Sequence, residues 1–365
     1  VFASLHPQGS APPAKVRSSS RVVPLSYVLP LRRDRVGDIA ELAAYTAELA
    51  SHVELLVVDG SPPPVFAAHQ AALSYHPAQG AARAQGVQHL APDACYHFAN
   101  GKVDGVLTGL RRCTHDAVVV ADDDVRWDRS ALARVAELLA DADVVRPQNY
   151  FDPLPWHARW DTARSLLNRA LGADWPGTVG VRRSVLLGTG GYDGDAMFEN
   201  LELVRTVEAA GGTVASPLDL YVRRLPPTTR QFLGQRVRQA YDDFAQPPRL
   251  VVSLAVLPLA VVALRRRPRA VLAAAAASVA VAERGRRRAG GKAVFPASCS
   301  WFAPLWVAER AVCSWLAVQS RWRWGGIRYR GRVLPLAAHS ERQLCRRVRP
   351  SASSPTSAPS AAPTT

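Results

Sequence analysis

Three consecutive aspartates, Asp122-Asp123-Asp124, follow directly on the apolar run Ala117–Ala121. Carboxylates crowded at the end of a buried segment repel one another and cost stability unless a cation offsets them. Hard carboxylate oxygens favour Mg²⁺ or Mn²⁺, and such ions also bridge diphosphates. An Asp-x-Asp pair at a strand end can turn one carboxylate toward a ribose and the next toward the metal. A solvated acidic turn capping the next helix is the plainer alternative. Asp59 closes another apolar run, Glu54–Val58, within Val57-Val58-Asp59-Gly60-Ser61. An acid there can accept from a uracil ring or a ribose hydroxyl, although a turn or helix-capping aspartate fits the same pattern. Pro30 and Leu31 end the run Ser26–Leu31, where backbone groups could face a base. Lys102, in Asn100-Gly101-Lys102, stands alone in a chain whose other lysines are Lys15 and Lys292, which hints at a point charge near phosphate.

Chemistry at these places needs elements that hold them. Ser26–Leu31, Glu54–Val58, Ala117–Ala121 and Asp143–Arg146 read as strands, and Asp38–Ala50 and Ser130–Ala140 as helices between them. A further helix is expected near Arg159–Leu171. Strands separated by helices imply an α/β domain with a mostly parallel, Rossmann-like sheet and helices on both faces. In such sheets ligands bind beyond the carboxyl ends of the strands, where the aspartates fall. This domain is expected over residues 22–247. Val1–Arg21 and 341–365, rich in Ser, Pro, Ala and Arg, are expected to be disordered tails.

The formal net charge is +15, which suits anionic lipid, phosphorylated ligands or nucleic acid. Acids concentrate between Asp34 and Asp243, whereas arginines dominate from Arg265 to Arg349. There they mix with tryptophans 301, 306, 315, 322 and 324 and follow two apolar runs, Leu250–Leu264 and Ala270–Ala282. That mixture suits a membrane surface better than a DNA groove, so no nucleic-acid partner is expected. Each run is short for a bilayer span. A basic loop, Arg265–Arg269, would also land outside against the positive-inside rule. Residues 248–340 are therefore expected to form a membrane-associated helical region, as an interfacial or re-entrant hairpin; a pair of buried core helices is the alternative. Val1–Ser20 has no apolar core of a signal peptide, from which a cytoplasmic catalytic domain is expected. The five cysteines lack CxxC spacing, so neither a disulfide framework nor a zinc site is expected.

These features in this order resemble the family 2 glycosyltransferases, with their GT-A fold. Ser26-Tyr27-Val28-Leu29-Pro30 resembles the opening strand, Val57–Ser61 the second-strand aspartate segment, Asn100-Gly101-Lys102 the N-x-K stretch and Asp122–Asp124 the DxD. Gly190-Gly191-Tyr192-Asp193 resembles the glycine pair ahead of the acceptor helix, and Phe198–Arg205 the ED-x-(D/E)-L-x-x-R segment. Gln235-Arg236-Val237-Arg238-Gln239 resembles the Q-x-x-R-W motif of membrane-bound members, and the layout is similar to ceramide and hopanoid glucosyltransferases. The resemblance implies an inverting transfer from a nucleotide sugar, a UDP-sugar first, to a lipid or glycan hydroxyl, with Mn²⁺ or Mg²⁺ as cofactor. It implies that Asp59 and Asp122, with Asp123 between the paired acids, hold the nucleotide, that Asp124 holds the metal, and that Gln235 and Arg238 meet the diphosphate. The position of the family's general base is Asn200 here, and an amide cannot accept that proton. Glu199 or Glu202 must act in its place, with Glu199 favoured because it stands beside the expected base. Gln239 replaces the motif's tryptophan, which points to single addition instead of processive synthesis. Two other classes fit parts of the pattern. A nucleotidyltransferase uses similar metal-diphosphate chemistry but wants a glycine-rich loop where Leu31–Arg35 stands. A polyanion-binding protein accounts for the charge and gives no reason for the acidic triplet.

Overall fold

The computed structural model describes residues 22–74 and 86–348; the N-terminal tail through Arg21 and the tail from Arg349 lie outside the described residues. The strands are β1 (Ser26–Leu31), β2 (Glu54–Asp59), β3 (Gln88–Leu90), β4 (Ala117–Ala121), β5 (Val125–Arg126), β6 (Val144–Val145), β7 (Gln148–Phe151), β8 (Thr178–Arg182), β9 (Val214–Ala215), β10 (Tyr221–Arg224), β11 (Ile327–Tyr329) and β12 (Arg332–Leu334). The helices of the first two thirds are α1 (Ala40–Ala50), α2 (Pro63–Ser74), α3 (Gly101–Arg112), α4 (Arg129–Leu138), α5 (Trp156–Leu171), α6 (Arg183–Gly188), α7 (Glu199–Ala209) and α8 (Thr229–Ala240). The remainder holds α9 (Pro247–Arg266), α10 (Pro268–Arg287), α11 (Ala303–Trp324) and α12 (Glu341–Val348).

The main sheet runs β3-β2-β1-β4-β8-β6-β9. β3, β2, β1 and β4 are parallel neighbours, whereas β8 lies antiparallel to both β4 and β6. Strands β1, β2 and β4 are apolar on both faces because both faces are covered. Tyr27, Leu29, Leu55 and Val57 pack with Leu42, Leu49, Leu132 and Val135 of α1 and α4. Val28, Leu56, Val58 and Val120 face the other way, onto Val103, Val106, Leu203 and Val204 of α3 and α7. Helix starts follow side-chain caps: the Asp128 carboxylate accepts from the Ala131 N–H at 2.8 Å, and Thr228 and Gln231 close a capping box on α8. A second sheet, β5-β10-β7, sits beside the first and carries Arg224 at its edge of the cavity described below.

The C-terminal third shares cores with the α/β part. Ala163 and Leu166 of α5 pack with Ala282, Phe295, Cys299 and Trp306. Met197, Leu201 and Tyr241 pack with Cys313, Ala317, Ile327 and Leu334. At Gly285 α10 sits so close to α5 that an added Cβ would collide with the Leu166 carbonyl oxygen. In α9, by contrast, Ser253 is the buried residue, and Val251, Val252, Leu259, Val262 and Leu264 are exposed.

Several expectations change here. Helix α9 extends past its apolar run at both ends, and among the described residues it is one helix of 20 residues long and apolar enough to cross a membrane. With Ser253 as its buried residue, α9 is not a core helix of this chain. Trp306 is buried, while Trp301, Trp315, Trp322 and Trp324 are exposed. Glu341–Val348, expected to begin a disordered tail, is helical and packs on α7, with Leu344 buried.

Candidate active site

The parallel strands β1 and β4 deliver Leu31 and Asp122 to one cavity of about 520 Å³. Of the residues singled out from the sequence, Pro30, Leu31, Lys102, Asp122, Asp123, Asp124 and Arg238 line it. Arg224, Tyr329, Arg330 and Arg332 line it too, and sequence reading missed them. A neighbouring cavity of about 440 Å³ holds Asp59, Ser61, Phe66 and Tyr96, and shares Arg32, His97, Gly101 and Asp104 with the first.

The acidic triplet is met by the chain's own cations. Lys102 Nζ lies 2.5 Å from Asp122 Oδ1 and 2.5 Å from Glu199 Oε1. Arg224 Nε donates to Asp124 Oδ2 at 2.9 Å, and its Nη2 stands 3.5 Å from Asp122 Oδ2. Arg33 reaches Asp123 at 3.2 Å. The repulsion that pointed to a metal is thus offset largely by protein groups. Burial opposes the charge on Lys102, but Asp122 and Glu199 overcome it and raise its pKa far above the usual lysine value. Burial likewise opposes ionisation of Asp122, and Lys102 and Arg224 outweigh it to lower its pKa. Asp124 differs: burial, joined by the like charges of Asp122 and Asp123, prevails over Arg224 and raises its pKa.

Asp124 Oδ1 is buried with no hydrogen-bond partner. Among the described residues no three His, Cys, Asp or Glu side chains form a metal cage. A lone unpartnered carboxylate oxygen without further caging ligands suits an exchangeable divalent ion such as Mg²⁺ or Mn²⁺ and does not fit a permanently caged metal.

Four of the sequence-derived site residues are differently employed. Glu202 is fully buried beneath α7, where Oε2 accepts from the His339 N–H at 2.7 Å and Oε1 lies 2.7 Å from His339 Nδ1. It anchors the C-terminal segment and does not reach the cavity. Lys102 spends two of its three donors bridging Asp122 and Glu199. The Asp59 side chain is fully buried and turned inward: Oδ1 accepts from the Ser61 N–H at 2.9 Å, and Oδ2 lies 2.7 Å from His69 Nδ1 and 3.2 Å from His89 Nε2. Burial raises the Asp59 pKa, but hydrogen bonds from His89, Ser61 and His69 outweigh it and hold the carboxyl well below the usual range. Gln235 lines neither cavity; its neighbour Arg236 is tied to Asp161 at 3.0 Å and Glu309 at 2.9 Å.

Asn200 donates to the Pro176 carbonyl at 3.2 Å and faces a small apolar pocket of about 140 Å³ with Trp175, Phe198, Glu199 and Leu201. Glu199 therefore borders this pocket and, through Lys102, the Asp122 wall of the large cavity. Its Oε2 receives one long contact, from Asn100 Nδ2 at 3.4 Å. Arg238 stands 5.2 Å over the Tyr329 ring, and burial lowers its pKa. Trp156, Trp160 and Phe232 form an aromatic cluster around His157, whose Nε2 lies 2.7 Å from the Pro227 carbonyl oxygen. These groups pack α5 on α8.

Comparison with known proteins bears on this arrangement. No curated protein matches the chain. Among solved structures, a mannosyltransferase from Pyrobaculum calidifontis in complex with GDP-Man and Mn²⁺ is similar at 18% identity and a TM-score of 0.47, over 81% of this chain and 88% of that one. Glucosyl-3-phosphoglycerate synthase from Mycobacterium tuberculosis, in complex with phosphoglyceric acid, is similar at 19% identity and a TM-score of 0.38, over 57% of this chain and 74% of that one. Residues 76–241 match the model of a family described as glycosyltransferase like family 2. That segment is a glycosyltransferase-like family 2 domain, and it carries α3, the Asp122–Asp124 turn and α8, each of which contributes residues to the cavity wall.

Proposed function

We propose that this glycosyltransferase moves a sugar from a nucleoside-diphosphate donor, a UDP-sugar first, to a hydroxyl of a lipid or membrane-near acceptor, with inversion at the anomeric carbon. The observation that carries the reading is the Lys102 bridge. It ties Glu199 of α7, which lines the small apolar pocket, to the strand-end acid Asp122, which lines the large cavity, with 2.5 Å contacts to each.

Glu199 is the general base. Its Oε2 takes the proton from the acceptor hydroxyl as that oxygen attacks the anomeric carbon from the face opposite the diphosphate. The bond from that carbon to the diphosphate oxygen breaks, and the nucleoside diphosphate leaves with the electron pair. Arg238 lies where it can neutralise the charge on the leaving group. A divalent ion held at Asp124 Oδ1 would supply further neutralisation and orient the phosphates. Pro30 and Leu31 border the nucleotide, and Asp59 acts indirectly, by fixing Ser61 at the second cavity. Lys102 acts as a positioning residue.

Two features support an amphiphilic acceptor. The pocket beside Glu199 is walled by Trp175, Phe198 and Leu201 and reaches Gln246, the residue just before α9. Helix α9 then exposes an apolar surface along its length, with exposed tryptophans nearby. An enzyme seated at a membrane follows from this reading. The test is a screen of nucleotide sugars with Mn²⁺ or Mg²⁺, on the full chain in detergent or vesicles, read as nucleoside diphosphate release. Release of pyrophosphate would select nucleotidyl transfer instead. Equal rates on soluble sugars and membrane lipid would remove the lipid acceptor.

A further inference from the structure

A β-hairpin closes one side of the large cavity. Strands β11 and β12 are antiparallel and joined by Arg330-Gly331, with φ of 46° and 80°. Left-handed geometry at both central positions is the turn that matches hairpin twist, and Asn or Gly normally fills the first of them. An L side chain with a Cβ costs roughly 1 kcal/mol there. Arginine is therefore a poor choice for the turn itself. Strain of this kind persists where the surroundings over-determine it, and it clusters at ligand clamps.

The surroundings do fix it. Ile327 and Leu334 are buried at the base of the hairpin. Ser320 Oγ donates to the Gly326 carbonyl at 2.8 Å. The Tyr241 hydroxyl and Arg321 Nη1 donate to the Pro335 carbonyl at 2.8 and 2.7 Å. The tip so held brings Tyr329, Arg330 and Arg332 to the cavity, beside Arg238.

The charges there are unevenly satisfied. Lys102 and Arg224 are matched by Asp122, Asp124 and Glu199. Arg238, Arg330 and Arg332 have no carboxylate within ion-pair distance among the described residues. Unmatched guanidiniums converging on one cavity repel one another, and a phosphate oxyanion relieves that repulsion while accepting forked hydrogen bonds.

We infer that the hairpin is a diphosphate clamp: Arg330 and Arg332 act with Arg238 to grip the diphosphate of the nucleotide donor. The clamp rests on the nucleotide-sugar reading given above. It adds to that reading a recognition element from the far end of the chain.

The test is equilibrium binding of UDP, GDP and uridine to the full-length protein in detergent, for wild type, Arg330→Gly and Arg332→Ala. Glycine accepts the positive φ without strain, so Arg330→Gly should melt at or above the wild-type temperature. A loss of binding in that variant then cannot be a loss of fold. Each substitution should weaken binding of the preferred nucleoside diphosphate about tenfold, flatten its salt dependence, and leave uridine unchanged. Wild-type affinity for the diphosphate in Arg330→Gly overturns the clamp and leaves the donor reading standing. If wild type binds neither UDP nor GDP, the donor reading falls and the clamp with it.

Discussion

Replacing Glu199 with glutamine separates chemistry from scaffolding at this site. The amide keeps the shape of the side chain and removes its capacity to accept a proton. Lys102 loses one of its two short partners and keeps the other, Asp122 Oδ1 at 2.5 Å. The fold should therefore lose no more than one charge-assisted hydrogen bond, about 1.5–3 kcal/mol. A positioned base contributes on the order of 10²–10⁴ in rate, equivalent to about 2.7–5.4 kcal/mol of transition-state stabilisation. Turnover at saturating donor and acceptor, read as nucleoside diphosphate release, should fall by that factor with donor affinity nearly unchanged. Glu202→Gln is the companion measurement. Glu202 is fully buried against His339, so its loss should cost about 1.5–3 kcal/mol of stability and leave the turnover of folded molecules intact. A Glu199→Gln enzyme that keeps more than about a tenth of wild-type turnover refutes the assignment of the base, as does a Glu202→Gln enzyme that folds normally and is inactive.

Asp124→Ala removes the buried free oxygen at the cavity and should abolish stimulation by Mn²⁺ or Mg²⁺, with the melting temperature close to wild type; retained metal dependence would place the ion elsewhere. Asp59→Asn should destabilise by about 1–3 kcal/mol, because His69, His89 and Ser61 lose a charged acceptor. The folded Asp59 pKa is depressed, so its stabilisation is fully present above the unfolded value of about 4 and is lost as pH falls through the folded value. The stability gap between wild type and Asp59→Asn, measured by denaturation, should accordingly close on acidification below the usual carboxylate range. Gly285→Ala should destabilise by about 1–3 kcal/mol, since its Cβ collides with the Leu166 carbonyl oxygen; an unchanged melting curve would mean the α5–α10 contact is looser than described.

The parts of the site that could be read along the chain are those made by local sequence. Strands β1, β2 and β4 announce themselves because residues buried on both faces leave uninterrupted apolar runs, and a triplet of acids after such a run has few uses. What answers those acids was hidden, because Arg224 lies about a hundred positions downstream, on a short strand of the second sheet. Helical spacing made Glu199 and Glu202 look equivalent, since positions three apart share a face. The difference between them comes from His339, 137 residues beyond Glu202, and no local pattern carries that information. The hairpin also departs from expectation, since β11 and β12 fall within residues 248–340, where the sequence leads one to expect helices. Its signal was Ile327-Arg328-Tyr329-Arg330-Gly331-Arg332-Val333, an alternation around a glycine that lacks the Asn-Gly or Asp-Gly pair usual for such turns. Helix α9 outran its apolar core because Pro247 opens it early and Arg265 and Arg266 continue it.

The seams between the α/β part and the C-terminal helices restrict how this enzyme can be shortened. Severing the chain near residue 247 would leave Leu166, Leu201 and Tyr241 facing solvent in place of Phe295, Cys313 and Leu334. It would also remove Tyr329, Arg330 and Arg332 from the rim of the large cavity. A trimmed catalytic half would therefore be sticky and open-sided, and its silence in an assay would report the missing rim more than any defect in Asp122, Asp124 or Glu199.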